Sequence, residues 1–297
     1  MYWDNRPMYE RVTKGLPFSN IYALKNSNKG YSYSLSLKAE KSFDFGLDLA
    51  ASYTFTQSKS LCPATSSQAA SNWNNTSTYR FSNAPELGYS AYNLPHMIKA
   101  SAFYRFHIAN NKNFTTTIGV IYQGRSGSPY SMLYSGDLNG DNGRGNDLMF
   151  IPTDEQIDLM PFKAQGNYTE ELQRQNLKAW LAKTPYLKDH RGEYFKRNAD
   201  NLPFENHFDF HVAEKMSVKV GKQVHSLELS LDILNVGNLL NKDWGRTYGT
   251  TYSNELISPL TYDGGKFQFL STPDYVIQYP QSYYSRWRGQ LGLKYTF

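Results

Sequence analysis

The chain closes on Gln290-Leu291-Gly292-Leu293-Lys294-Tyr295-Thr296-Phe297. Read with a period of two, Leu291, Leu293, Tyr295 and Phe297 share one face, and Gln290, Gly292, Lys294 and Thr296 share the other. The alternation continues upstream, where Trp287 and Gly289 oppose Arg286 and Arg288. Successive side chains of a strand point to opposite faces, so this segment is a strand with one apolar and one polar side. A soluble sheet that buries one face produces the same pattern. The terminal ring argues differently, because burying it would draw the chain's carboxylate toward the core. A strand whose apolar side meets lipid, with aromatics at the water boundary, has no such conflict.

The same pattern recurs along the chain. Tyr31, Tyr33, Leu35, Leu37 and Ala39 alternate with polar residues, and after a tight turn near 41–43 so do Phe45, Leu47, Leu49, Ala51, Tyr53 and Phe55. Further runs carry Ile98 to Phe106, Phe114 to Tyr122, Phe208 to Val218 and Leu227 to Ile233 on alternate positions. With a weaker strand at 16–25 and the terminal one, the total is about eight, each near the roughly 10 residues that a tilted membrane strand needs. The expected fold is all-β: an antiparallel transmembrane β-barrel segment of about eight strands of a larger barrel, with long extracellular loops.

The connections support this. Turns near 42, 110 and 222 are short, whereas 59–91, 126–204 and 237–283 are long. Strict alternation places every long loop on one side, as in membrane barrels with short periplasmic turns and long external loops. Counting back from a periplasmic C-terminus puts the long loops outside. The 126–204 connection is too long to be structureless. A helix is expected near 169–183, with Asn167 and Glu170 as a capping pair, Leu172, Leu177, Trp180 and Leu181 as its stripe, and Pro185 ending it.

Composition fits a barrel. Aromatic residues make up 15% of the chain, including 24 Tyr and 17 Phe, a share suited to interfacial girdles. Mean hydropathy is -0.61, and no apolar stretch is long enough for a spanning helix. The net charge of +5 is not gathered in a basic tract, so nucleic-acid binding is not expected. Cys62 is the single cysteine, which rules out an intrachain disulfide or a multi-thiolate metal site; it reads as a neutral loop residue. Met1-Tyr-Trp-Asp-Asn-Arg6 has neither the basic nor the apolar region of an export signal. A barrel must be exported, so the chain is expected to be the tail of a longer precursor.

Candidate chemistry is sparse. Asp137, Asn139, Asp141 and Asp147 offer oxygen ligands in a Gly/Asn-rich loop that could hold Ca2+. The loop departs from the EF-hand, with Gly143 at the seventh place and Leu148 rather than Glu at the twelfth, and a metal-free turn is the alternative. His207 and His211 would lie ~13 Å apart on a strand, too far to chelate one ion, and read as lumen-facing. Neither Gly-x-Ser-x-Gly nor His-Glu-x-x-His occurs, so no catalytic residues are assigned and an enzyme is not expected. Trp73, Tyr79, Tyr130, Tyr134, Trp244, Tyr248 and Tyr252 are loop aromatics that could stack on a ligand; ordinary loop packing is the alternative for each.

Asn235-Val-Gly-Asn-Leu-Leu-Asn-Lys-Asp-Trp-Gly245 resembles a segment near the end of TonB-dependent outer-membrane receptors of the Bacteroidetes, particularly the Oar-like group. Phe18–Asn26, Asp137–Pro152 and the terminal strand look like the same group. Gln290, Gly292, Tyr295 and Phe297 resemble the signal that hands barrels to the β-barrel assembly machinery. The resemblance implies a barrel of about 22 strands, a plug domain, and a preceding segment that engages TonB. It implies energised import of a large or scarce ligand of glycan, peptide, siderophore or cobalamin type across a Gram-negative outer membrane. Implied partners are outer-membrane lipid, the remaining barrel and plug, TonB, the assembly machinery and a surface lipoprotein. The alternatives are a complete small barrel acting as an adhesin or structural protein, and a barrel hydrolase using Asp209, His207 and His211.

Overall fold

The computed structural model describes residues 4–10, 17, 21–63, 66–80, 82–141, 143, 145–249, 256–270, 277–278 and 283–297. Seven long strands follow the predicted alternation: β1 (Tyr31–Ser42), β2 (Leu47–Ser60), β3 (His96–Phe106), β4 (Phe114–Arg125), β5 (Glu205–Val220), β6 (Gln223–Leu234) and β7 (Arg288–Thr296). Each pairs antiparallel with the next, giving an up-and-down sheet in chain order. The eighth member is the two-residue strand Gly88–Tyr89 on the end of β2. It replaces the strand expected at 16–25: residues 21–25 are not strand, and 16 and 18–20 lie outside the described residues. The sheet is open, with β1 and β7 as its edges.

Register separates two chemistries. One row reads Leu47, Tyr104, Ile118, Val212, Leu231, Leu291 across β2 to β7. The adjacent row reads Asp48, Phe103, Gly119, His211, Asp232, Gln290. A one-residue slip of any strand would exchange the two faces, so the register is strongly specified. On the polar face Arg105 pairs with Asp48, and His211 Nδ1 lies 2.6 Å from Asp232 Oδ1. The Phe103 ring occupies the space a side chain at position 119 would need, which accounts for Gly119. Gly46, at φ +98°, turns the chain between β1 and β2 where a Cβ would strike the Arg105 carbonyl.

Among the described residues none covers the apolar face. Of the buried hydrophobic residues, only Ala213 lies in the seven strands, whereas Leu291 is 76% exposed. A patch this large needs an apolar environment, and lipid provides one. An open depression of about 460 Å3 lies on this face, where Ala39, Ala51, Ala100 and Ala102 leave space between larger neighbours.

The hydrophobic core lies in the connections instead, between Tyr130 and Phe269. A second sheet orders Lys266–Gln268, Leu256–Asp263, Pro129–Ser135 and Asp200–Asn201, the middle two running parallel. Helices Asp154–Leu159, Glu170–Lys183 and Pro185–Asp189 complete this loop module. Glu170–Lys183 matches the expected helix, but Thr169 is its cap, accepting from Leu172 N at 3.1 Å, in place of Asn167. Its inner stripe uses Gln173, Leu177, Trp180 and Leu181, while Leu172 turns outward. Gln173 is satisfied inside: it donates to the carbonyls of Lys163 and Tyr168 and accepts from Phe269 N.

One carboxylate interrupts the apolar face. Glu214 lies in register with Thr116 and Leu229, and Thr116 Oγ1 donates to its Oε2 at 2.5 Å. A charge on a lipid-facing position costs stability. Glu214→Leu should therefore stabilise the protein in lipid vesicles by ~1–2 kcal/mol, and Val212→Glu should destabilise it by a similar amount. Urea unfolding checks both; a stabilising Val212→Glu would put the lipid on the other face.

Candidate functional site

At the long-loop end, residues from three distant segments enclose a cleft of about 380 Å3. Tyr79 and Tyr194 stack face to face in one wall, with ring centroids 4.2 Å apart and planes 18° apart. Tyr79 Oη donates to Glu86 at 3.3 Å. Across the cleft, Lys59 Nζ lies 4.7 Å from the centre of the Tyr89 ring, a cation–π contact. Leu148 and Phe195 line the floor, and Glu193 and Lys196 stand at the rim.

The wall is built from strand ends. Lys59 and Ser60 close β2, and Gly88–Tyr89 pairs with them. Arg197 ties this corner to the loop module, donating to the carbonyls of Ser60 and Leu61. A Cβ at Gly88 would lie 2.8 Å from Arg197 Nε, so glycine lets the guanidinium pass. Burial lowers the Arg197 pKa. The cleft thus offers aromatic faces for stacking and charges of both signs at its mouth, a combination suited to binding.

The other predicted residues are distributed elsewhere. Tyr130 and Tyr134 are core residues, 2% and 0% exposed, and this corrects their reading as ligand contacts. Both lie in Pro129–Ser135, an inner strand of the module's sheet; Tyr130 Oη donates to Asp200 and Tyr134 Oη to the Phe150 carbonyl. Trp73 sits edge-on to Tyr22 and donates to Asn83. Trp244 is exposed beside the short helix Val236–Leu240 that follows β6. Tyr248 packs against the core, and Tyr252 lies outside the described residues. Of the six that are described, only Tyr79 lines the cleft. In the terminal strand Tyr295 and Phe297 stack on the apolar face, and Tyr295 Oη lies 2.6 Å from His225 Nδ1. A Cβ at Gly292 would lie 2.5 Å from Ser230 Oγ, a packing reason for that glycine.

The side chains offered for Ca2+ have partners within the protein. Asp137 accepts from Gly140 N, Asn139 from Asp141 N, and Asp141 from Gly143 N, so these oxygens close tight turns. Asp147 accepts from Leu138 N with one oxygen and pairs with Arg6 at 2.9 Å with the other. A guanidinium therefore meets this loop at Asp147. Among the described residues no three His, Cys, Asp or Glu side chains gather for a metal. His207 and His211 do not meet either: His207 Nε2 lies 3.4 Å from Thr247 Oγ1, while His211 faces Asp232.

Tyr89, Tyr194, Lys59 and Arg6 escaped prediction because nothing local marks them. Their roles come from contacts between segments up to 190 residues apart, as in the Tyr194 hydroxyl that donates to Asp4 at 2.6 Å.

A two-faced antiparallel wall with its long connections at one end defines a membrane β-barrel. A family model for the outer membrane beta barrel domain matches residues 4–255, and the chain belongs to that family, whose place is the outer membrane. Neither the curated proteins nor the solved structures compared with the chain give a match.

Burial raises the Asp147 pKa from 3.8 to about 6, outweighing the attraction of Arg6. Between about pH 4 and 6 the folded module therefore holds a proton that the unfolded chain does not. That stabilising contribution is full below the unfolded pKa and lost as pH rises through 6. The thermal midpoint of the wild-type protein should rise relative to Asp147→Asn as pH falls from 7 to 4. A difference independent of pH would contradict the assignment.

Proposed function

We propose that this chain is the C-terminal barrel portion of a TonB-dependent outer-membrane receptor, and that its loop module captures a large or scarce ligand for energised import. The observation that carries this reading is the loop module itself: a folded cap with its own core, holding an aromatic cleft, on the long-loop end of a lipid-facing wall. A barrel that only anchored itself would need no such cap.

Two features add support. Asn235–Gly245 resembles the corresponding segment of these receptors, and Asn235 has structural work in keeping with a recurrent motif. It adopts a left-handed conformation at φ 54° between β6 and the short helix, its amide donates to the Gly245 carbonyl at 2.7 Å, and its N–H donates to Asp209. The open sheet edges are the second feature. Unpaired backbone groups in lipid cost several kcal/mol each, so β1 and β7 call for further strands, which the rest of a larger barrel supplies.

On this reading the long loops are extracellular, and the short turns and Phe297 are periplasmic. The plug and the segment that reaches TonB belong to the preceding part of the receptor. The terminal strand is the address for the assembly machinery, and a surface lipoprotein is a further partner. The protein binds and passes its ligand without chemical change; glycans, peptides, siderophores and cobalamins are the ligand types in view.

Photo-crosslinking in the native host tests this. The protein detected in outer membranes with an antibody to this chain should be far heavier than 34.1 kDa and should crosslink to TonB. A mature product of about this mass, with no TonB adduct, would sink the proposal.

A further inference from the structure

The stacked wall of the cleft is held from behind by one guanidinium. Arg6 is 5% exposed. Its Nε pairs with Asp4 Oδ2 at 2.9 Å, its Nη1 with Asp147 Oδ1 at 2.9 Å, and its Nη2 donates to the Leu148 carbonyl at 2.7 Å. Its flat face lies 5.0 Å from the Tyr134 ring centre and 5.7 Å from that of Tyr194.

Each ion pair leads to one ring of the stack. Through Asp4 the path reaches Tyr194, whose hydroxyl donates to Asp4 Oδ1. Through Asp147 it reaches the backbone beside Tyr79: Thr78 N donates to the Asn146 carbonyl at 2.8 Å, and Leu148 N donates to the Thr78 carbonyl at 3.0 Å. Asn146 and Leu148 flank Asp147, so the residue that holds Arg6 also anchors the segment presenting Tyr79. Leu148 itself lines the cleft.

We propose that Arg6 is a positioning residue for the cleft, setting the Tyr79–Tyr194 stack from a segment that does not line it. The planar fork of arginine is what the task requires. It meets two carboxylates and a carbonyl in fixed directions while its face rests on rings, whereas a lysine presents a single point of charge. Asp4 and Asp147 both need that partner, because a buried carboxylate left unpaired is costly. The inference rests on reading the cleft as the capture site, but its structural content is independent of the ligand.

Hydrogen exchange on the full protein in lipid nanodiscs, without ligand, tests it. Arg6→Met should raise exchange at residues 76–80 and 146–150 at least tenfold and leave the helix Glu170–Lys183, which does not line the cleft, unchanged. Arg6→Lys should recover part of that protection. Asp4→Asn, which keeps the side chain's shape, should loosen residues 193–195, whose backbone bonds to Met149 and Ile151, while sparing 76–80. An equal rise throughout the loop module would make Arg6 a general stability residue and overturn the proposal, as would no rise at all. Because no ligand is present, this outcome stands apart from the TonB crosslink, which tests the receptor reading.

Discussion

Every backbone N–H and C=O that lies in lipid must find a partner inside the protein. That requirement organises this chain. Between the open edges of β1 and β7 it is met by an unbroken antiparallel ladder through seven strands, and the ladder's register then decides which side chains meet lipid and which meet the lumen. Side-chain propensity is secondary: Gly119, Gly124 and Gly292 all lie within strands, where a glycine weakens a strand considered alone. In each case a neighbouring side chain occupies the space that a Cβ would take.

Lipid also changes where a hydrophobic core is needed. The wall's apolar face is satisfied by its surroundings, so almost none of the protein's buried hydrophobic surface lies there. The long connections stand in water and must bury their own. They do so by pairing Leu256–Asp263 with Pro129–Ser135 in parallel, joining two loops more than a hundred residues apart, and by packing three helices around the result. The cleft forms where this module meets the ends of the wall strands, with Arg197 as the tie between them. Its walls are therefore pre-organised by two separately stabilised structures, which lowers the ordering cost of binding.

The wall was legible in the sequence because period-two alternation is local and survives any arrangement of neighbours. Short turns, long loops and the Glu170–Lys183 helix were legible for the same reason. The loop module was not. Tyr130, Tyr134 and Tyr79 are the same residue type in the same kind of connection, yet two are core and one lines the cleft. The burial of Pro129–Tyr134 along its whole length follows from the strand paired beside it and the helices over it, and neither is visible locally. The acidic loop is a related case. Asp137 to Asp147 has calcium-like spacing, but the positive charge it meets is Arg6, 141 residues from Asp147. Thr169 displaced Asn167 as the helix cap because Asn167 lies inside a turn of its own, closed by the bonds between Gln165 and Tyr168.

The central claim is that one face of this sheet meets lipid and the other does not. Nitroxide labels placed one at a time along 229–233 and 289–293, in the protein reconstituted in bilayers, test it most directly through collision with oxygen and with a water-soluble nickel chelate. Positions 229, 231, 233, 289, 291 and 293 should be accessible to oxygen and shielded from nickel, with the intervening positions showing neither preference for oxygen nor lipid contact. Accessibility without a period of two, or with its phase reversed, would contradict the account.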